Sequence, residues 1–251
     1  MIYLFSDAGQ AALRSFVART TLFAFDLDGT LAPIVADPAG IEIPKETKEK
    51  LMDLNRMAPV AIISGRSRAD VRNHLGFTPR FLIGNHGAEG LPGREEQEAN
   101  FRRICEVWQH QLETLMPSAS QHGITLENKG TTLSLHYRKA PSRGAAVKRI
   151  LGVIGQLKPL PKRIPGKCVE NLVPTEAPRK GEALLQIMDQ TGCPKALFVG
   201  DDATDEDIFR LEKNFILGIR VGCEGISSAA YCLLDQREIG TFLGEIISLI
   251  S

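Results

Sequence analysis

No stretch of this chain is apolar for long enough to cross a bilayer. Its longest unbroken apolar run is six residues, 229–234, where a spanning helix needs about 20. Neither sign of charge dominates: 30 basic and 30 acidic residues leave a formal net charge of zero. At whole-chain level that excludes the basic footprint of a nucleic-acid binder and a polybasic tail for a membrane surface. Sulfur is sparse as well. The five cysteines, Cys105, Cys168, Cys193, Cys223 and Cys232, are scattered and form no C-x-x-C pair. That argues against a zinc site and leads us to expect reduced thiols in a cytoplasmic protein. The opening Met1-Ile2-Tyr3-Leu4-Phe5 has no basic residue before it and is followed at once by Asp7, unlike a secretory leader.

What is present is an ordinary globular composition. The 251 residues, 43% hydrophobic and 24% charged, can bury a sizeable core without disulfide or metal. Short β-like runs at residues 22–25, 60–63, 81–83, 196–199 and 215–219 alternate with amphipathic stretches at 45–57, 67–75, 182–190 and 205–213. Buried strands separated by helices imply parallel βα units and a doubly wound, Rossmann-like α/β sheet.

The middle of the chain reads differently. A long helix is expected over 96–115, then a hairpin of 123–128 and 131–137 around Lys129-Gly130, then a helix over 145–157. A proline-rich stretch follows (Pro159, Pro161, Pro165, Pro174, Pro178), with an extended run near 168–172. These elements make a small α+β unit, placed at 98–176, inserted into a core of 1–97 and 177–251. A C-terminal helix over 237–250 packs Leu243, Ile246 and Ile247 on that core.

Four motifs carry chemistry. Phe25-Asp26-Leu27-Asp28-Gly29-Thr30 ends a hydrophobic strand in two carboxylates at i and i+2, which in extended chain share one face. Two carboxylates so close need a cation or a proton, and the set suits Mg²⁺ (magnesium) with substrate phosphate oxygens. Ile63-Ser64-Gly65-Arg66 places a hydroxyl, Gly65 and a forked guanidinium ahead of a capped helix, an anion cradle. Arg179-Lys180-Gly181 offers a counter-charge to phosphate at a helix start. Gly200-Asp201-Asp202-x-x-Asp205-Glu206 brings carboxylates to another strand tip, where Asp201 and Asp202 could complete an octahedral Mg²⁺ shell.

Taken in this order, with an inserted unit between the second and third, the motifs resemble those of the haloacid dehalogenase-like phosphatase superfamily. The resemblance implies Asp26 as nucleophile, Asp28 as general acid/base, Ser64 and Lys180 as phosphate-binding groups and Asp201 as a metal ligand, supported by Asp202 or Asp205. The implied metal set is Asp26, Asp28, Asp201 and Asp202. The inserted unit looks like a C2-type cap that sets substrate specificity.

Four runs narrow the likeness. Residues 23–34 around Phe25-Asp26-Leu27-Asp28-Gly29-Thr30, Ile83-Gly84-Asn85-His86-Gly87-Ala88-Glu89, Leu133-Ser134-Leu135-His136-Tyr137-Arg138 and Val199-Gly200-Asp201-Asp202-Ala203-Thr204-Asp205-Glu206 resemble the trehalose-6-phosphate phosphatases over roughly 20–225. The resemblance implies that Glu127, Lys129 and Glu170 grip the sugar, with Asn85, His86, His136 and Arg138 as further substrate contacts beside Gly65 and Arg66. It implies a Mg²⁺-dependent phosphomonoester hydrolase making trehalose from trehalose 6-phosphate through an aspartyl-phosphate. The partner would be a small sugar phosphate, with functional coupling to a trehalose-phosphate synthase. One departure from the family pattern is Pro178-Arg179 ahead of Lys180, where a short polar stretch is usual. Sucrose phosphate, glucosylglycerol phosphate and mannosyl-3-phosphoglycerate are alternative substrates. A catalytically dead scaffold would have lost Asp26, Asp28 or Lys180; a phosphomutase, which shares the first motif, would need a cap built to retain and return the phosphoryl group.

Overall fold

The computed structural model describes residues 1–35 and 40–251. The chain forms two compact units, Met1–Leu91 with Pro178–Ser251, and Pro92–Ala177. The first border thus falls ahead of the one placed near residue 98. The helix that opens the second unit starts at Glu95, and the turn Pro92–Gly93 precedes it.

The first unit is built on a parallel sheet. Its strands are β1 (Ile2–Tyr3), β2 (Thr21–Phe25), β3 (Val60–Ile63), β4 (Phe81–Ile83), β9 (Lys195–Gly200), β10 (Ile216–Val221) and β11 (Tyr231–Leu233). They lie in the order β1-β11-β10-β9-β2-β3-β4, all parallel. The helices are α1 (Asp7–Phe16), α2 (Lys45–Met57), α3 (Arg68–Leu75), α6 (Lys180–Thr191), α7 (Glu206–Phe209) and α8 (Ile239–Ile250).

Alternate strand residues face opposite layers. Phe23, Phe25, Leu197 and Val199 join a core with α1, α2, α3 and α8. Leu22, Ala24, Ala196 and Phe198 join another with α6 and α7. Burial on both faces explains why these strands read as continuous apolar runs. From β2 the chain winds outward through β3 to β4, and after the second unit it winds the other way from β9. The carboxyl ends of β2 and β9 therefore lie at the point where strand order reverses, where open α/β sheets hold their ligands.

The second unit comprises α4 (Glu95–Leu115), β5 (Thr125–Asn128), β6 (Leu133–His136), α5 (Arg143–Ile154), β7 (Lys162–Gly166) and β8 (Val169–Val173). Its antiparallel sheet runs β5-β6-β8-β7. Phe101, Cys105, Trp108 and Leu112 form the buried stripe of α4. Three of them, with Leu133, Leu135, Leu172 and α5, close the core.

Three differences from the sequence expectation have physical causes. Strand β7 contains Pro165, which cannot donate to a ladder; it is an edge strand, paired only to β8, where proline is tolerated. The helix expected over 205–213 is the four residues of α7: Ala203–Asp205 form a tight turn ahead of it whose carboxylate is engaged in the site, and residues 210–213 leave the helix in a turn. Cys223, two residues past the end of β10, and Cys232 of β11 are joined in a disulfide, so the expectation of five reduced thiols holds only for Cys105, Cys168 and Cys193. Among the described residues, no helix is long and apolar enough to cross a membrane.

Candidate active site

The site begins where β2 ends. The Asp26 N–H donates to Val199 O of β9 at 2.9 Å, so the neighbouring strand fixes the first carboxylate. Asp26 is 4% exposed, and its Oδ1 accepts from Lys180 Nζ at 2.9 Å. Asp28, two residues on, has a different partner: its two oxygens accept from Arg66 Nε and Nη2, each at 2.7 Å. Between them and the next strand the chain turns at Gly29 (φ 79°), where a Cβ would fall 2.2 Å from Asp201 Oδ2. Only glycine lets the β2 loop approach Asp201 so closely.

The tip of β9 supplies the rest. Asp205 is fully buried; its Oδ1 accepts from Lys180 Nζ at 2.8 Å and its Oδ2 from the Asp202 N–H at 2.9 Å. One oxygen each from Asp26, Asp201 and Asp205 lies within 4.8 Å of the others. This cluster holds Asp205, where the metal set expected from sequence has Asp28 and Asp202 beside Asp26 and Asp201. Asp202 is exposed and caps the following turn by accepting from Ala203 N, and the side chain of Asp28 is committed to Arg66. Three hard oxygen donors fit a cation of the Mg²⁺, Ca²⁺ or Mn²⁺ type. The charge balance agrees: the Lys180 ammonium pairs with Asp26 and Asp205, and a divalent cation would offset negative charge in the cluster.

The electrostatics follow from burial. Desolvation pushes the Asp26 carboxyl well above the usual carboxylate range; Lys180 opposes this, and Asp205 and Asp201 add to it. Burial alone would lower the Lys180 ammonium, but Asp205 and Asp26 together raise it, so it stays charged. Lys180 is the first residue of α6, whose start is held by the Glu182 carboxylate accepting from Arg179 N at 2.7 Å.

The loops after β3 and β4 carry the residues expected to cradle an anion. Ser64 is fully buried, and its Oγ accepts from Arg66 N at 3.2 Å. A Cβ on Gly65 would meet the His86 imidazole at 2.4 Å. His86 (φ 61°) sends its N–H to Ser64 O at 2.9 Å, tying the two loops together. Asn85 (φ 52°) is buried, and its amide donates to Glu89 Oε2 at 3.1 Å, the oxygen that also accepts from Arg68 N at 2.8 Å. Asn85 therefore braces the loop. Arg66, expected to fork a phosphate, instead forks Asp28 and reaches Asp70.

In the second unit, Glu127 Oε2 lies 2.6 Å from His136 Nε2. Lys129 sits in the β5–β6 turn, its N–H donating to Thr132 O, next to Gly130 at φ 85°. Arg138 is exposed and its guanidinium reaches Lys167 O at 3.4 Å. Glu170 does not share a face with Glu127. Directly paired residues lie on one side of an antiparallel sheet, and the register aligns Glu127 with Ser134 and Asn171, but Glu170 with Leu135 and Pro165. Glu170 thus lies on the helix-covered face, 3% exposed, its Oε2 accepting from Arg163 at 3.0 Å. Asn171, on the Glu127 face, accepts from Ser134 Oγ at 2.7 Å. Sequence reading missed Asn171, Arg163, Glu89 and Asp70. The period of two along β8 was the available signal for the first.

The sequence pattern of the family described as trehalose-phosphatase matches residues 24–230. The chain is 31% identical over 234 residues to the trehalose-6-phosphate phosphatase of Escherichia coli K12, covering 90% of this chain and 86% of that one. It is 30% identical over 256 residues to a protein of Oryza sativa subsp. japonica named probable trehalose-phosphate phosphatase 4, covering 95% of this chain and 68% of that one. A crystal structure described as a trehalose-6-phosphate phosphatase related protein shares the fold, with a TM-score of 0.75 at 24% identity over 91% of this chain and 98% of that one.

Proposed function

The chain belongs to the trehalose-phosphatase family, and on that premise we propose that it hydrolyses trehalose 6-phosphate to trehalose and inorganic phosphate. The observation that carries this reading is the buried Asp26–Lys180–Asp205 cluster with Asp201 beside it. That is the equipment of a phosphoryl-transfer site: a nucleophile, a fixed cation and a divalent-metal seat, all at the strand-reversal point.

Asp26 is the nucleophile. Lys180 holds its Oδ1 and leaves Oδ2 to attack phosphorus. The new O–P bond forms an aspartyl-phosphate as the P–O bond to the sugar breaks, and the electron pair leaves on the sugar oxygen. Each Asp28 oxygen accepts one bond from Arg66 and keeps a second site for a proton: Asp28 gives the sugar oxygen a proton, then takes one from the water that attacks the aspartyl-phosphate. Inorganic phosphate departs and the Asp26 carboxylate is restored. Ser64, the N–H groups around it and Lys180 receive the charge on the phosphoryl oxygens. Asp26, Asp201 and Asp205 would hold Mg²⁺, which when bound neutralises charge on the phosphoryl group.

Glu127, His136 and Lys129 are the residues of the second unit proposed to recognise sugar hydroxyls. The position of Glu170 favours a second reading, a phosphatase for a different disaccharide phosphate, because one of the two carboxylates expected to grip trehalose is spent on Arg163. Phosphate release from trehalose 6-phosphate, sucrose 6-phosphate, glucose 6-phosphate, mannosyl-3-phosphoglycerate and p-nitrophenyl phosphate, with Mg²⁺ and with chelator, separates the two. A Mg²⁺-dependent preference of about 100-fold for the first, about 2.7 kcal/mol of discrimination, supports the trehalose reading. An equal preference for another disaccharide phosphate rejects it.

A further inference from the structure

The Arg66 side chain is largely buried and forms charged contacts with two carboxylates. Its Nε and Nη2 take both oxygens of Asp28, and its Nη1 donates to Asp70 Oδ2 at 2.8 Å. A planar guanidinium gripped on two edges by two carboxylates cannot rotate without breaking one pair. Asp70 is itself carried on a capped helix. It lies in the first turn of α3, its N–H donates to the Ser67 Oγ cap at 3.3 Å, and its Oδ1 lies 3.4 Å from His74 Nε2 on the same helix. The helix frame thus reaches Asp28, which sits beyond the end of β2 on a turning loop.

We infer that Asp70 is a positioning residue for proton transfer: through Arg66 it sets where the Asp28 carboxyl stands. The inference rests on the acid/base role proposed above for Asp28. It also accounts for a guanidinium in the phosphate cradle that is turned to a neighbouring acid. Arg66 lies on the loop after β3 and Asp70 one helical turn later, so one strand–helix junction supplies both the Ser64 hydroxyl and the brace for Asp28.

The test uses the leaving group. Expulsion of a sugar alkoxide needs the Asp28 proton, whereas p-nitrophenolate leaves without one. kcat/KM reports the first chemical step. For Asp70→Asn, kcat/KM for the sugar phosphate should fall by about tenfold or more, part of what a positioned acid contributes, while that for p-nitrophenyl phosphate stays within about twofold. Asp70→Glu should recover part of the loss. Asp28→Asn serves as reference and should show the same selectivity more strongly. If Asp28→Asn is selective and Asp70→Asn affects both substrates equally or neither, the positioning role is rejected while the acid assignment stands. If Asp28→Asn shows no selectivity, the acid assignment itself falls. Should Asp70→Asn melt below the assay temperature, Arg66→Lys, which cannot fork, reads the same brace by the same ratio.

Discussion

Lys180 donates to Asp26 although 154 positions separate them, and both side chains are withdrawn from water. The contact closes the first unit across the inserted one: Asp26 comes from the chain before the insertion and Lys180 from the chain after it. An ammonium buried between Asp26 and Asp205 needs an ionised carboxylate beside it, and Asp205 supplies one whatever the state of Asp26.

Asp26→Asn should reduce phosphate release by at least about 1,000-fold, as loss of a nucleophile does. Its melting temperature in chelator should stay level or rise, because a buried carboxylate is replaced by a neutral amide of the same shape. Residual turnover near that of the parent chain would remove Asp26 from the mechanism.

The same group sets a pH dependence. The Asp26 carboxyl is raised in the folded chain, so the folded state holds its proton more tightly than the unfolded state does. Without metal, that contribution is fully present below the unfolded value of about 3.9 and is lost as pH rises through the folded value. In chelator, the parent chain should therefore lose stability relative to Asp26→Asn as pH climbs from about 4 toward neutrality. Added Mg²⁺ should restore it. Denaturant melts at matched pH, with and without metal, give the comparison.

Asp205 and Asp202 should separate cleanly. Asp205→Asn removes one of three clustered oxygens and a partner of Lys180, so the Mg²⁺-induced rise in melting temperature should largely vanish. Asp202→Asn should keep that rise and change stability by at most about 1 kcal/mol, the scale of a turn cap. Equal loss of the metal response in both variants would return Asp202 to the ligand set.

Two glutamates of the second unit should also part company. Glu127→Ala should weaken kcat/KM for a disaccharide phosphate while sparing p-nitrophenyl phosphate. Glu170→Ala should lower stability by about 1–2 kcal/mol, moderated because Arg163 is 40% exposed, with the substrate ratio unchanged. A substrate-selective loss in Glu170→Ala would put its carboxylate back against the sugar.

Much of the core was legible before folding. Val60–Ile63, Phe81–Ile83 and Lys45–Met57 stand at the bounds expected from apolar runs and a helical stripe, because parallel strands buried on both faces leave little ambiguity. Three strands were not legible. β1 and β11 are two and three residues long, and β7 carries a proline, so neither length nor propensity marks them.

By itself, the amino-acid sequence determined the order of the motifs, and with it that Asp26, Ser64, Lys180 and Asp201 end strands or open helices on one side of a parallel sheet. That follows from local patterning, since a hydrophobic run ending in polar residues reads the same wherever it packs. Only the tertiary structure decided which carboxylate meets which cation. Asp28 and Asp202 look like metal ligands from their spacing, yet one is taken by Arg66 and the other by its own turn, while Asp205 moves in beside Lys180. Glu170 and Asn171 differ by one position, and the pleat sends them to opposite faces. Contacts of this kind depend on register and on groups far apart in the chain, which no local pattern encodes.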